Sequence, residues 1–568
     1  MDKIAVLALL RKSGKHKNLL ESNNPVLLKR GLDCGFEFLC EIEDKEVALL
    51  IGFDKHFPFH RPHYFLLPGT TTGHIPHVES NGWICYMQED YSSIDYDNPE
   101  GIIFESLAAV MQTLKKGYLK ENLEDFLKEF EAYWRQLDGC QTIYSNLVAT
   151  DKVKKIKIGQ RENKGAFVLD DTEESSDIVR RILGDSKVSH QNAIYIPLKP
   201  GSCVMPPPYN HRYSLEEIRL LIEENVSDDN KKLLPKLLNN TAKNCEYIIL
   251  TQRQPNGIDC FFGFKFSKIK PGMHPLLDSS VACKIDPISI ERLDKAYLTR
   301  RGGSGDTFDN KKGLVIGCGS IGGYIIEELA KSGFLNLTAV DRDKLTPENS
   351  YRHVCGIAYL DANKAQAIKR KIEKYYPHAL INAVPDTIEN LLSEKKIDLG
   401  MFDFIVVATG NVTINMMLNE LLFQKYRHIP TFFSWLDPYG IGGHCLVTNL
   451  KTQGCYHCLY NNDDVFNIAS FAKMKQPKPF LKAISGCGSV YTPFSSMDAC
   501  QTALLTVRTI IKTLKGKEDK AAVYSWKGDA EAFIAEGFEL SERFGDSEQE
   551  LLNKKSNFFS PNCKVCKI

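Results

Sequence analysis

The sequence predicts a multidomain α/β protein, and three observations carry that expectation. At 568 residues the chain exceeds what one hydrophobic core serves, so several domains are expected. A glycine-rich "GCGSIGG" follows an apolar strand pattern and precedes a helical one, with strands and helices alternating after it. That is the order of a doubly wound parallel sheet. Two C-x-x-C pairs, "CYHC" and "CKVC", bracket the C-terminal part, as ligands that close a domain would. Basic and acidic residues balance at 71 each, which gives no surplus charge for a nucleic-acid partner. The apolar run "IAVLAL" near the N-terminus is too short for a secretory core or a membrane span. A cytoplasmic location without a membrane partner is therefore expected. There, 17 cysteines point to thiol chemistry and metal ligation rather than disulfides.

Residues 1–145 read as a compact α+β unit. "CGFEFLCEI" and "EVALLIGF" have strand patterns, "FPFHRPHYFLL" is a proline-punctuated crossing, and "GIIFESLAAVMQTLKKGY" and "LEDFLKEFEAYWRQL" are helical. Residues 146–300 read as a middle α/β linker or docking domain. Its first part, "DKVKKIKIGQRENKG" and "DDTEESSD", is charged and reads as a connector or solvated edge. Strand patterns "AIYIPL", "CEYIILTQ" and "CFFGFKF" and helical "SLEEIRLLIEENV" and "KKLLPKLL" follow, without a catalytic constellation. After the break "RRGGSGDTFDNKKG", residues 301–568 carry the Rossmann-like doubly wound pattern.

Gly317, Gly319 and Gly322 stand in G-x-G-x-x-G order between strand and helix. Glycines there permit a tight turn and close backbone approach, and the helix N-terminus favours phosphate. Asp341 ends the next strand at the interval expected of a ribose-binding carboxylate. A dehydrogenase would carry the same features. Asn349 and Arg352, eight and eleven residues beyond Asp341, and then Lys364 instead suit an enzyme that neutralises charge developing on ATP phosphates. Cys455, Cys458, Cys563 and Cys566 supply four thiolates, the complement of a closed tetrahedral zinc site.

The run Asp341, Asp343, Leu345, Asn349, Arg352 resembles the D-x-D-x-V-x-x-S-N-L-x-R pattern in the adenylation domain of ubiquitin-activating enzymes and their bacterial ThiF and MoeB relatives. The resemblance implies that ATP binds with Asp341 on the ribose and with Asn349, Arg352 and Lys364 on the phosphates. It also implies a bound Mg2+, a trans-acting arginine at Arg300 or Arg301, and a two-fold dimer. Gly410 stands where that family carries its magnesium-binding Asp, so the magnesium ligand stays unassigned. The related domains carry the same paired zinc site. "AISGCGSVYTPFSSMDAC" places Cys487 in a glycine-rich loop ahead of a long helix, with Cys500 inside the helix as a core thiol. The layout resembles the catalytic cysteine of activating enzymes of the autophagy type, although some relatives lack a catalytic cysteine there.

"IPHVESNGWIC", residues 75–85, resembles the H-P-N-I-x-x-N-G-x-I-C motif of ubiquitin-conjugating enzymes, with Pro76, Asn81, Gly82, Ile84 and Cys85 in register. His77 stands in place of the motif's first Asn, whose work would be to support the thioester oxyanion. One chain thus resembles the bacterial E2-E1 fusions of the cyclic-oligonucleotide antiphage systems (CBASS). The resemblance implies adenylation of a protein C-terminus, a thioester on Cys487, transfer to Cys85 and conjugation to a target amine. Its implied substrate is a cGAS-like nucleotidyltransferase and its implied acceptors are target-protein lysines. Three other readings stand beside it: a ThiF/MoeB-type sulfur-transfer enzyme, which needs no conjugating domain, a NAD-dependent oxidoreductase, and a scaffold with decayed sites.

Overall fold

The computed structural model describes residues 3–13, 17–43, 45–69, 74–87, 93–161, 165–170, 172–183, 189–238, 245–269, 273–278, 280–302, 308–460, 467–473, 475–483 and 490–566. It divides into two compact units, residues 1–179 with 185–294, and residues 180–184 with 295–568. No helix among the described residues is long and apolar enough to cross a membrane.

The first unit begins with an antiparallel sheet of strands Lys17–Glu21, Cys34–Ile42, Lys45–Phe53 and His63–Leu66. Alternation in "CGFEFLCEI" puts Phe36, Phe38, Cys40 and Ile42 in one buried cluster, the period-two signature of a strand. The same cluster takes Val6 and Leu10 from helix Lys3–Ser13 and Leu107, Val110 and Leu114 from helix Pro99–Tyr118. The longer helix starts where it does because Asn98 accepts a hydrogen bond from Gly101 N and Pro99 occupies the first turn.

Strands Asp259–Ser267, Lys284–Arg292, Gln141–Ser145, Gly165–Asp170, Lys154–Arg161, Ser189–Pro197 and Cys245–Arg253 close, in that order, into a barrel. The segment "KKIKIGQR" is a strand of this barrel rather than a connector. Its alternation drives Ile156 and Ile158 into one core, with Lys155 and Lys157 at the alternate positions of the strand. Composition hid that periodicity. Strand Cys245–Arg253 is apolar on both faces: Tyr247 and Ile249 join the first cluster, and Ile248 and Leu250 join a second. The second cluster holds Ile218 and Ile222 of helix Leu215–Asn225 and also Phe130 and Trp134 of helix Phe130–Arg135. Trp134 is fully buried among the rings of Phe130, Phe262 and Phe264, and its indole N–H donates to Ile288 O at 2.9 Å.

The second unit is built on a seven-stranded sheet: Leu380–Val384, Asn336–Val340, Lys312–Ile316, Phe404–Val407, Thr431–Leu436, Gly442–Thr448 and Ala522–Lys527. The first five strands run parallel and the last two pair antiparallel. One face is covered by helices Ser320–Lys331, Lys364–Tyr375 and Ser496–Leu514, the other by Ile388–Ser393 and Val412–Lys425.

Trp134→Ala is expected to cost about 3–5 kcal/mol through cavity formation and an orphaned Ile288 carbonyl. Chemical denaturation of the full chain followed by circular dichroism checks it. A loss below about 1 kcal/mol would show that the helix does not depend on its packing against the barrel.

Candidate functional site

Cys85 lies at the end of a turn that the local sequence dictates. Asn81 Oδ1 accepts from Trp83 N at 2.9 Å, the Asx geometry that starts a turn. Gly82 has φ +85, and its carbonyl oxygen accepts from Leu66 N at 2.8 Å. A Cβ at Gly82 would stand 2.3 Å from Leu66 O, so only glycine fits. Trp83 pairs with Phe65 and Ile84 with Val78. Ile84 is fully buried and its N–H donates to Tyr64 O at 2.9 Å. That anchor leaves Cys85, the next residue, half-buried, with its amide donating to His77 O at 2.8 Å.

His77 meets Cys85 through its main chain. Its φ is +66, a left-handed value that costs a non-glycine residue roughly 1–2 kcal/mol. Two bonds compensate: His77 N donates to Tyr133 Oη at 2.7 Å and His77 O accepts from Cys85 N. The imidazole lies 3.2 Å from Asp125 Oδ2 and 3.5 Å from Glu129 Oε2. Burial raises the Asp125 carboxyl, but hydrogen bonds from Lys128 and His77 outweigh it and hold the group below its ordinary range. Nothing in the motif's spacing signals these two acids, which arrive on a helical segment some fifty residues on. Beside them His74 stacks on Phe126 at 4.4 Å, and its buried Nε2 has no hydrogen-bond partner among the described residues. Burial pushes its pKa down to about 4.

In the second unit the glycine loop closes under steric compulsion. Gly317 has φ +90, and a Cβ there would lie 2.5 Å from Ala408 O; one on Gly322 would lie 1.9 Å from Gly317 O. Gly319 faces open space and caps helix Ser320–Lys331 without any side-chain hydrogen bond. The loop and the end of strand Asn336–Val340 are tied together: Asp341 Oδ2 accepts from Cys318 N at 2.7 Å, and Oδ1 from Asp343 N at 2.8 Å. Lys364, 14% exposed, pairs with Asp343 at 3.2 Å. Asn349 ends a short 3-10 turn, and its carbonyl accepts from Arg352 N at 3.0 Å. The Arg352 guanidinium lies 4.8 Å over Phe494, and its buried Nε has no hydrogen-bond partner among the described residues. His353, which the sequence did not single out, places Nε2 2.7 Å from Cys318 O and so fixes the loop from behind. Gly410 has φ +69 at the turn after strand Phe404–Val407, a conformation glycine adopts more readily than aspartate.

Arg300 is exposed on helix Lys295–Gly302; Arg301 lies on the same helix, with its side chain outside the described residues. Cys487 also lies outside the described residues. Its flanks are described: Lys482 pairs with Tyr491 and Ala483 with Val490, and helix Ser496–Leu514 follows behind a Ser495–Asp498 capping box. Cys500 on that helix is half-buried.

Cys455, Cys458, Cys563 and Cys566 converge, all buried, with their sulfurs within 4.8 Å of one another. Contacts of 3.3 Å (Cys458–Cys566), 3.6 Å (Cys455–Cys563) and 4.0 Å (Cys455–Cys458) bracket the ~3.8 Å edge of a tetrahedron with 2.3 Å Zn–S bonds. Donor type and spacing fit zinc, which would fasten the C-terminal segment to the sheet. The ring of His457 belongs to none of these sulfur contacts.

Residues 302–546 match the ThiF family, and residues 36–141 match prokaryotic E2 family B. The "ATP-dependent ubiquitin transferase-like protein Cap2" of Pseudomonas aeruginosa is 25% identical over 492 residues, covering 83% of this chain and 86% of the relative. The Escherichia coli protein of the same name is 23% identical over 531 residues, covering 84% and 87%. Among solved structures, E. coli MccB with ATP is 17% identical, with a TM-score of 0.33 over 48% of this chain and 70% of MccB.

Two outcomes follow from the site's chemistry. Purified protein is expected to hold about one zinc per chain by elemental analysis, and Cys458→Ser to lose it with a lower melting temperature. Full thermal stability of metal-free protein would contradict this. His74 has an ordinary pKa of 6.5 and a folded value of about 4, so between these values the unfolded chain binds a proton that the folded chain refuses. Stability therefore falls as pH drops through that window. Buried His274, also pushed down to about 4, adds the same sign. Urea midpoints at pH 7.5 and 5 should differ less in His74→Phe than in the wild type.

Proposed function

Because the chain is an E2-E1 fusion, an enzyme that carries a prokaryotic E2-type domain ahead of a ThiF-type adenylation domain, we propose that it activates a protein C-terminus and conjugates it to an amine. The C-terminal carboxylate attacks the α-phosphorus of ATP, forming the acyl-adenylate and releasing pyrophosphate. The Cys487 thiolate attacks the acyl carbon and expels AMP. The Cys85 thiolate takes the acyl group in turn, freeing Cys487, and an amine attacks the Cys85 thioester to give an amide and a free thiol.

The observation that carries this reading is the half-buried Cys85 thiol, set at the end of the Asn81–Gly82–Trp83–Ile84 turn in the E2-type region of a chain that also holds an adenylation loop. In the loop, Gly317, Gly319 and Gly322 admit the phosphates. Asp341 retains lone pairs for ribose hydroxyls beside the two amides that orient it. Arg352 and Lys364 neutralise the negative charge that develops on the α-phosphate, and Asn349 supplies a neutral donor. Magnesium would be held by the triphosphate or by a carboxylate other than one at position 410, where glycine stands. Arg300 or Arg301 would serve the partner's nucleotide if the chain forms the two-fold dimer that the family resemblance implies. His77 serves through the carbonyl that holds Cys85 N, while its ring stays with Asp125 and Glu129.

The proposed acyl donor is a cGAS-like nucleotidyltransferase of an antiphage CBASS system in the cytoplasm, and the acceptors are lysines. A ThiF-type sulfur transfer would leave the domain carrying Cys85 without a task.

Incubation with ATP, Mg2+ and a cGAS-like nucleotidyltransferase is expected to give thiol-sensitive adducts on non-reducing gels. Cys487→Ala abolishes them, Cys85→Ala preserves the Cys487 adduct and blocks conjugation, and Lys364→Ala slows ATP–pyrophosphate exchange on the order of 10²-fold. Conjugation that survives Cys85→Ala would overturn the assignment.

A further inference from the structure

The peptide that precedes Cys85 is gripped at three points, and one grip comes from outside the domain that carries the thiol. His77 N is held by Tyr133 Oη at 2.7 Å, and His77 O accepts from Cys85 N at 2.8 Å. Val78 O accepts from Tyr209 Oη at 2.6 Å. Tyr209 belongs to a segment, "MPPPYNHRY", between the barrel strand Ser189–Pro197 and helix Leu215–Asn225.

We propose that Tyr209 is a positioning residue for Cys85, through which the barrel sets the geometry of the thiol. The proposal rests on the reading of Cys85 as an acyl carrier.

The arm that delivers Tyr209 is stiff. Three consecutive prolines precede it, each with φ fixed by its ring. Tyr209 O accepts from Asp138 N at 2.9 Å, and four residues later Tyr213 packs its ring on Trp134 and Phe264 at 5.6 and 4.8 Å. The Tyr209 ring stands edge-on to His74 at 5.0 Å and 6.5 Å from Tyr133. Burial raises its phenol above the ordinary range, so the hydroxyl stays protonated and donates to Val78 O. From Val78 the path to the thiol is short: Val78 pairs with Ile84, and His77, its neighbour, holds the Cys85 amide. The left-handed His77 makes this peptide dependent on outside bonds, because its backbone conformation is not the one the chain would choose alone.

A purely structural Tyr209 would act through its ring; a positioning Tyr209 acts through its hydroxyl. Tyr209→Phe in the full chain separates the two. Expected are faster amide hydrogen exchange in the 77–85 peptide and loading of Cys85 slowed between about 10- and 100-fold in single turnover. The half-saturating donor concentration and ATP–pyrophosphate exchange should stay at wild-type values. Arg212→Ala, which removes an ion pair on the same arm whose arginine side chain is 84% exposed, is expected to change neither exchange nor loading. Wild-type loading by Tyr209→Phe overturns the proposal, whatever hydrogen exchange does, and so does slowed loading with unchanged exchange. A wild type that never loads Cys85 instead defeats the reading of Cys85 itself.

Discussion

The second unit depends on one steric constraint: the backbone at Gly317 and Gly322 passes too close to its neighbours for any side chain. A Cβ at either position would lie within 2.5 Å of a carbonyl oxygen, well inside van der Waals contact. The close approach lets Gly317 N bond Val340 O at 2.9 Å and Cys318 N reach Asp341. It also lets His353 support Cys318 O from behind. The end of strand Asn336–Val340, Asp341 just after it and His353 are thereby locked to one loop, and the nucleotide chemistry proposed for this unit has a fixed floor. In the proposed relay the adenylate that charges both thiols forms on this loop.

The first unit solves a different problem, the presentation of a thiol at the end of a turn. Ile84 is driven into the core and Gly82 turns the chain against Leu66, which leaves Cys85 no freedom in where it emerges. The bonds around His77 and Val78 finish the task. They are drawn from helix Phe130–Arg135 and from the barrel, so residues with no chemistry of their own share in setting the geometry of the turn.

Motifs whose meaning is local were legible in the sequence. The Asn81–Cys85 turn, the glycine loop and the four cysteines each encode their geometry within a few residues or through an unmistakable donor set. The barrel was not legible, because its closure needs strand Gln141–Ser145 to lie parallel to Lys284–Arg292, a pairing across more than a hundred residues. "KKIKIGQR" looked like a charged connector because its lysines outnumber the isoleucines that face the core. His353, Asp125, Glu129 and Tyr209 could not be found from spacing at all. Each matters through a tertiary contact, and an isolated His, acid or Tyr in a sequence has no periodicity to betray it. His77 stood in the motif's Asn position, but only the fold shows its ring turned to two carboxylates.

The proposed relay is an ordered passage of one acyl group over two cysteines. Rapid-quench mass spectrometry of the Cys487 and Cys85 peptides during a single turnover with ATP and the acyl donor tests it most directly. Acyl mass should rise on the Cys487 peptide, fall, and appear on the Cys85 peptide with the same rate constant. Acylation of Cys85 at an undiminished rate in Cys487→Ala would contradict the relay.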